Sequence, residues 1–335
     1  MNKSSFEFKY PVAECDVSNS NQLAEFREKY SEWITWFSED EHHSICKQVN
    51  GIMWSDAVFR TLNESRRFSN EDSPTASTNA MLAEFIDSGF VSTQILSICK
   101  ITDAYYGQKK KGIISLPRFI DDLKKHKKLL TRELYVCFDG LPYDYQTIRD
   151  NEYSNMTPEE FRTVRYLPSS GPKAWTVSQR LHDFFDRLSG VSSDNRCRTD
   201  LIDDRVFDTL ESWLQSPTFE KLRTLRNKFT AHAADGYSRE QVLLESKGIS
   251  LDEIEEAQRA LIRTANEIGS AILYHHGIGG PVPIPQFDLF KNLTLPFIPE
   301  KNIEELRDWW STHEMDRESW LREDVNLLTG EISSL

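Results

Sequence analysis

Cysteine is sparse in this chain and never arranged to bridge or ligate. Cys15, Cys46, Cys99, Cys137 and Cys197 are odd in number, widely scattered and form no Cys-x-x-Cys pair, so neither a disulfide framework nor a zinc ribbon is indicated. A reducing cytoplasmic setting fits best. Long apolar runs are missing too: no stretch approaches the roughly 20 residues that span a bilayer. The opening Met-Asn-Lys-Ser-Ser-Phe-Glu-Phe-Lys-Tyr offers no signal-peptide core, and a protein that is neither exported nor membrane-bound is expected. Positive charge is in deficit, with 40 Lys plus Arg against 53 Asp plus Glu and a formal net charge of -13. Such a balance repels phosphate at long range and counts against broad nucleic-acid affinity. Gly277-Ile278-Gly279-Gly280 lacks the flanking strand and helix of a phosphate-cradling loop, so it reads as a linker. There is no Gly-x-Ser-x-Gly elbow, no internal repeat and no low-complexity tract.

What the sequence does have is helical periodicity. Leu23, Phe26, Tyr30, Trp33 and Phe37 recur every three or four residues and share one helix face; a second helix covers about 41–66. Phe6, Phe8 and Tyr10 alternate as a short edge strand would, until Pro11. The polar run 69–78 is a loop, since small polar side chains and proline compete with helical bonding. It divides an N-terminal helical region, 1–78, from a main domain, 79–276, followed by a linker and Trp-rich helical tail, 277–335. Within the main domain, Leu82, Phe85, Val91, Ile95, Ile98, Thr102 and Tyr105 define a first core helix. Ser115 caps a second with Pro117 in its first turn and Leu116, Ile120, Leu123, Leu130 and Leu134 buried. Residues 136–205 are broken by glycine and proline and form an irregular insertion. Two short helices fall inside it, one behind the Thr157-Pro158-Glu159-Glu160 capping box and one carrying Val177, Leu181, Phe184 and Leu188. A third core helix starts at Ser216-Pro217, faces Phe219, Leu222, Leu225 and Phe229 inward and stops at Gly236. A fourth spans 251–274 with Leu251, Ile254, Leu261, Ala265, Ile268 and Ile272. The fold class is all-α: a four-helix up-and-down bundle with extra N- and C-terminal helices. In the tail, Trp309, Trp310, Trp320 and Leu321 are available for docking.

The third helix carries the chemistry-bearing segment, Arg226-Asn227-Lys228-Phe229-Thr230-Ala231-His232: an arginine, a polar residue, four spacers and a histidine. RNA contains its own nucleophile, the 2′-hydroxyl. A site that removes its proton, protonates the leaving oxygen and stabilises the phosphorane cleaves without metal. Histidine suits proton transfer near neutral pH, and arginine's planar fork suits a phosphate gaining charge. The competing reading is structural: Arg226 and Asn227 satisfy neighbours while His232 caps the last turn. On an ideal helix, residues six apart differ by about 120° and about 9 Å, so one copy makes a sparse site.

The segment resembles the Arg-(4 to 6 residues)-His motif of HEPN domains, in which Asn, Asp or His commonly follows the arginine. Ile98-Cys99-Lys100-Ile101-Thr102-Asp103 and Ile114-Ser115-Leu116-Pro117-Arg118-Phe119 are similar to the first two helices of the abortive-infection, AbiU2-like branch, which usually has arginine where Lys100 stands. The resemblance spans about 80–275. It implies a metal-independent endoribonuclease of phage defence or toxin–antitoxin systems, needing no cofactor, with His232 as acid and base, Arg226 as phosphate stabiliser and Asn227 in support. Asp103 and Lys228 are supporting candidates. The implied partners are RNA, a second copy that brings two motifs together across a two-fold axis, and an antitoxin or other defence protein. Tyr237 lies where an added phosphate-like group would block the site. The alternative is a catalytically silent HEPN scaffold that binds a nucleotide, RNA or protein, a reading the net charge favours.

Other constellations are weaker. His42 or His43 with Cys46 has helical ligand spacing but lacks further ligands. His275-His276 closes the fourth core helix. The clusters Lys109-Lys110-Lys111 and Lys124-Lys125-His126-Lys127-Lys128 read first as solvated faces, as do the pairs Asp121-Asp122 and Asp203-Asp204.

Overall fold

A computed structural model describes residues 6–72, 79–104, 112–155, 167–243, 247–280 and 300–319, with 282, 284, 286–288, 290 and 291. The expected Thr157 capping box, the Lys109–Lys111 run, Tyr105, Trp320 and Leu321 lie outside the described residues.

The chain divides into two units, Met1–Pro283 and Ile284–Leu335. Among the described residues, eleven α-helices build the first: α1 Ser20–Ile34, α2 Ile45–Asp72, α3 Ala80–Ile101, α4 Leu116–Lys125, α5 Arg132–Cys137, α6 Tyr145–Ser154, α7 Trp175–Ser189, α8 Asp204–Trp213, α9 Pro217–Leu225, α10 Gly236–Glu240 and α11 Leu251–Asn266. In the second, α12 runs Ile303–Ser319 with Trp309 and Trp310 exposed, and Trp309 stacks on His313 at 5.0 Å between ring centroids. No helix among the described residues is long and apolar enough to cross a membrane.

The periodic stripes become the core. Leu23, Phe26, Tyr30, Trp33 and Phe37 are all buried, as are Leu116, Ile120, Leu123, Leu130 and Leu134. Ser115 caps α4 at the Arg118 amide with Pro117 inside the first turn, although this segment is two helices, α4 and α5, rather than one. α1 and α2 contribute to the same apolar core as the later helices. The four helices that pack on one another are α2, α3, α9 and α11, so α2 takes the place expected of residues 115–134. α4 instead lies against α8 and meets α1 through Trp33 Nε1, which donates to Asp122 Oδ2 at 2.8 Å, while Trp36, just past α1, sits edge-on to Phe119 at 5.8 Å.

Phe6, Phe8 and Tyr10 form no strand. Phe6 and Phe8 pack on Tyr30, and Phe8 on Phe138, with centroids between 5.3 and 6.3 Å. The ring contacts bury what the alternation would have placed on a sheet, and the described residues offer no neighbouring strand, only an isolated Thr131–Leu201 bridge. Phe85, expected on the buried stripe of α3, is 73% exposed. The burial falls instead on Phe90, which stacks on Phe59 of α2 at 3.8 Å.

The irregular segment is part of the scaffold. Its helix α7 buries Leu181, Phe185 and Leu188, and around it runs a charged network. Arg132, with no exposed side-chain surface, bonds Asp186 Oδ1 at 2.7 Å and Asp200 Oδ2 at 2.8 Å. Arg196 bridges Asp183 and Asp186, and Arg198 bridges Glu133 and Asp16. The cluster at 124–128 is neutralised: Lys124 pairs with Glu211, Lys125 with Asp121, Lys127 with Asp204 and Lys128 with Glu25.

Candidate functional site

α9 begins as the sequence predicts, with Pro217 in its first turn and Phe219, Leu222 and Leu225 buried. It does not run on to Gly236. At Arg226 the helix widens into a π turn, Arg226–Thr230, closed by the Ala231 amide donating to the Arg226 carbonyl at 2.7 Å. His232 follows in a bend. Asp235 explains why the helix fails to continue: its side chain accepts from the Ser238 amide at 2.7 Å and caps a new helix, α10, in which Gly236 is the first residue rather than a stop. Ideal-helix spacing between Arg226 and His232 therefore does not describe this site. The extra residue in the turn also rotates Phe229 off the inner face, leaving it 41% exposed.

Arg226 is half-buried, whereas Asn227 and His232 are exposed. Arg226 Nε donates to Asn227 Oδ1 at 2.9 Å, so Asn227 orients the guanidinium and leaves its two terminal nitrogens for another acceptor. Lys228 has a structural role, because its ammonium donates to Ser238 Oγ at 2.6 Å and ties the π turn to α10. Tyr237, the second residue of α10, is 76% exposed.

The π turn packs on α3, and the last turns of α3 supply the rest of the neighbourhood. Cys99 is buried there, and burial pushes its thiol pKa up while the charges of Arg226 and Arg223 pull it down and that of Asp103 raises it further. The Asp103 carbonyl accepts from Ser115 Oγ at 2.7 Å, which fixes the exit of α3 against the start of α4. Arg223 carries no motif signature; its place one turn before Arg226 is the only signal that could have found it.

The other histidine candidates show no metal-ligating arrangement among the described residues. His42 and His43 occupy a turn ahead of α2 rather than the helix itself, and their amides donate to Asp40 Oδ1 at 3.0 and 2.6 Å. The Cys46 thiol is pushed up to about 11 by burial, which disfavours the thiolate a metal needs. Among the described residues no group of three His, Cys, Asp or Glu side chains could hold a metal ion. His275 is half-buried against Phe6, and burial lowers its pKa.

The all-helical architecture, with an Arg-x5-His segment running from the π turn after α9 into the bend beyond it, fits the HEPN class. A family model of its AbiU2 branch matches residues 31–280, and the chain belongs to this family. The match begins within α1, well ahead of the 80–275 span of the motif resemblance. No curated protein and no solved structure matches the chain.

Proposed function

We propose that the protein is a metal-independent endoribonuclease of phage defence, cleaving RNA by attack of the 2′-hydroxyl on the adjacent phosphate. The observation that carries this reading is the Arg226 guanidinium held by Asn227 on a π turn, with His232 exposed just beyond it. Arg226 stabilises the charge that builds on the phosphorane, and His232 moves the proton. Membership of the AbiU2 family supports a role in abortive infection. RNA is the proposed substrate, a second copy the proposed structural partner, and an antitoxin or other defence protein the proposed regulator. Tyr237, exposed beside the motif, is the proposed point of modification.

The test is incubation of wild type and His232→Ala with labelled RNA in chelator, reading 2′,3′-cyclic phosphate ends. Cleavage by wild type should fall at least about 100-fold in the variant. Cleavage that survives unchanged removes His232 from the mechanism. A Tyr237→Phe chain run alongside, if still silenced by a coexpressed partner, removes that tyrosine from the regulation. A second reading has one specific observation in its favour: the net charge of -13 weakens long-range attraction for RNA and suits a silent scaffold. A folded wild type that cleaves no RNA would favour it.

A further inference from the structure

Two side chains that the cleavage chemistry leaves unused, His43 and Lys100, meet in space. They are 57 residues apart in sequence, yet Lys100 Nζ lies 3.1 Å from His43 Nδ1. An ammonium only donates, so Nδ1 is the acceptor and a neutral imidazole carries its proton at Nε2. Both side chains are exposed. The turn that holds His43 is fixed from several directions. Asp40 accepts from the His42 and His43 amides, and the Gln48 side chain donates to the His43 carbonyl at 2.7 Å and to the Ile114 carbonyl at 3.0 Å.

Lys100 lies in the last turn of α3, a helix that packs on the π turn. Lys100 is next in sequence to Cys99, whose thiol feels Arg223, Arg226 and Asp103. None of Lys100, Arg223 and Arg226 has a carboxylate partner among the described residues, whereas the cations of the 124–128 cluster and the interior network are paired. In a chain of net charge -13, phosphate affinity has to come from such local unpaired cations. Among the described residues, the acids of this neighbourhood include Asp103, whose charge is felt at the Cys99 thiol and which has interactions of its own, and Asp40, whose Oδ1 already accepts from the His42 and His43 amides.

We propose that Lys100 and His43 form a phosphate clamp for the RNA backbone, acting beside Arg226: the ammonium donates its remaining N–H groups and the imidazole its Nε2–H to a phosphate flanking the one that is cut. This rests on the reading of the Arg226–His232 segment as an RNA-cleaving site. The clamp holds substrate and transition state equally, so its loss raises KM and leaves kcat in place.

The experiment measures binding of a fluorescent RNA whose 2′-hydroxyls are methylated, which removes the nucleophile, across a salt series, together with cleavage kinetics on ordinary RNA. Circular dichroism checks that each variant is folded. Lys100→Gln should weaken binding roughly fivefold to tenfold and reduce the slope of log affinity against log salt by about 0.7, with KM raised and kcat within about twofold. Lys100→Arg, which keeps the charge, should restore both. His43→Phe should weaken binding while leaving the salt slope unchanged, because a neutral donor is removed. Unchanged binding and slope in Lys100→Gln, with cleavage intact, overturns the clamp and leaves the ribonuclease reading standing. A wild type that binds the methylated RNA but never cleaves defeats the ribonuclease reading alone, and the slope then decides the clamp. A wild type that binds no RNA at low salt overturns both.

Discussion

At the scale of single residues, stability and candidate chemistry are held by different groups. His182 is almost completely buried, its Nε2 donates to the Tyr143 carbonyl at 3.0 Å, and burial pushes its pKa down to about 4. The nearby Arg196 and Arg132 add to that shift and Asp186 opposes it. An unfolded histidine titrates near 6.5. Between those values the unfolded chain holds a proton that the folded chain lacks, so stability is full above about pH 6.5 and is lost as pH falls through about 4. The loss is on the order of 3 kcal/mol. Urea unfolding at pH 7.5, 6 and 5 should show it, and His182→Gln should flatten the curve; a wild-type midpoint that does not move over this range contradicts the buried, neutral imidazole. By contrast, Arg226, Asn227 and His232 carry little of the packing, since two of the three are exposed. They are legible in the sequence because the motif is local. The Lys100–His43 contact is not, because nothing in a linear pattern relates a turn before α2 to the last turn of α3.

At the scale of elements, the core stripes are legible along most of the helices, and one departure, Phe229, falls where the pitch changes. Among the described residues three π turns, Thr35–Glu39, Arg226–Thr230 and Glu267–Ile272, each follow directly from an α-helix. An i→i+5 turn changes the pitch without changing the residue types, so periodicity alone passes over it. That is why periodicity places Phe229 inside and carries the helix on to Gly236. The turn at Arg226 offers an element-level test. Deleting Thr230 should let the helix close its ordinary i→i−4 bonds and rotate His232 relative to Arg226. Helix content by circular dichroism should hold or rise while RNA cleavage is lost. Cleavage that persists at the wild-type rate shows that the π geometry has no part in the site. Capping follows the sequence more closely: Ser115 caps α4 where its place before Pro117 predicts, and the capping box of α11, Ser250 with Glu253, is equally local.

At the scale of the whole molecule, one chain presents a single Arg226, half-buried, and a single His232, exposed, and 2′-hydroxyl transesterification needs a base, an acid and charge stabilisation together. A two-fold pairing of identical surfaces would supply two of each, and exposed Phe229 and Tyr237 beside the motif give that pairing apolar area to cover. Light scattering should then give about twice the 38.9 kDa chain mass, and Phe229→Asp should produce a monomer that no longer cleaves. An active monomer is the result that defeats this arrangement. The sequence by itself determined the all-helical class, most of the buried stripes and the Arg226–His232 segment, because helix periodicity and a short motif are properties of neighbouring residues. Only the tertiary structure decided that α2 rather than α4 joins the four packed helices, that α1 shares their core, that the 124–128 lysines are neutralised and that Lys100 meets His43. Those outcomes depend on which distant surfaces come together, and burial and ion pairing select among pairings that a linear pattern leaves equivalent.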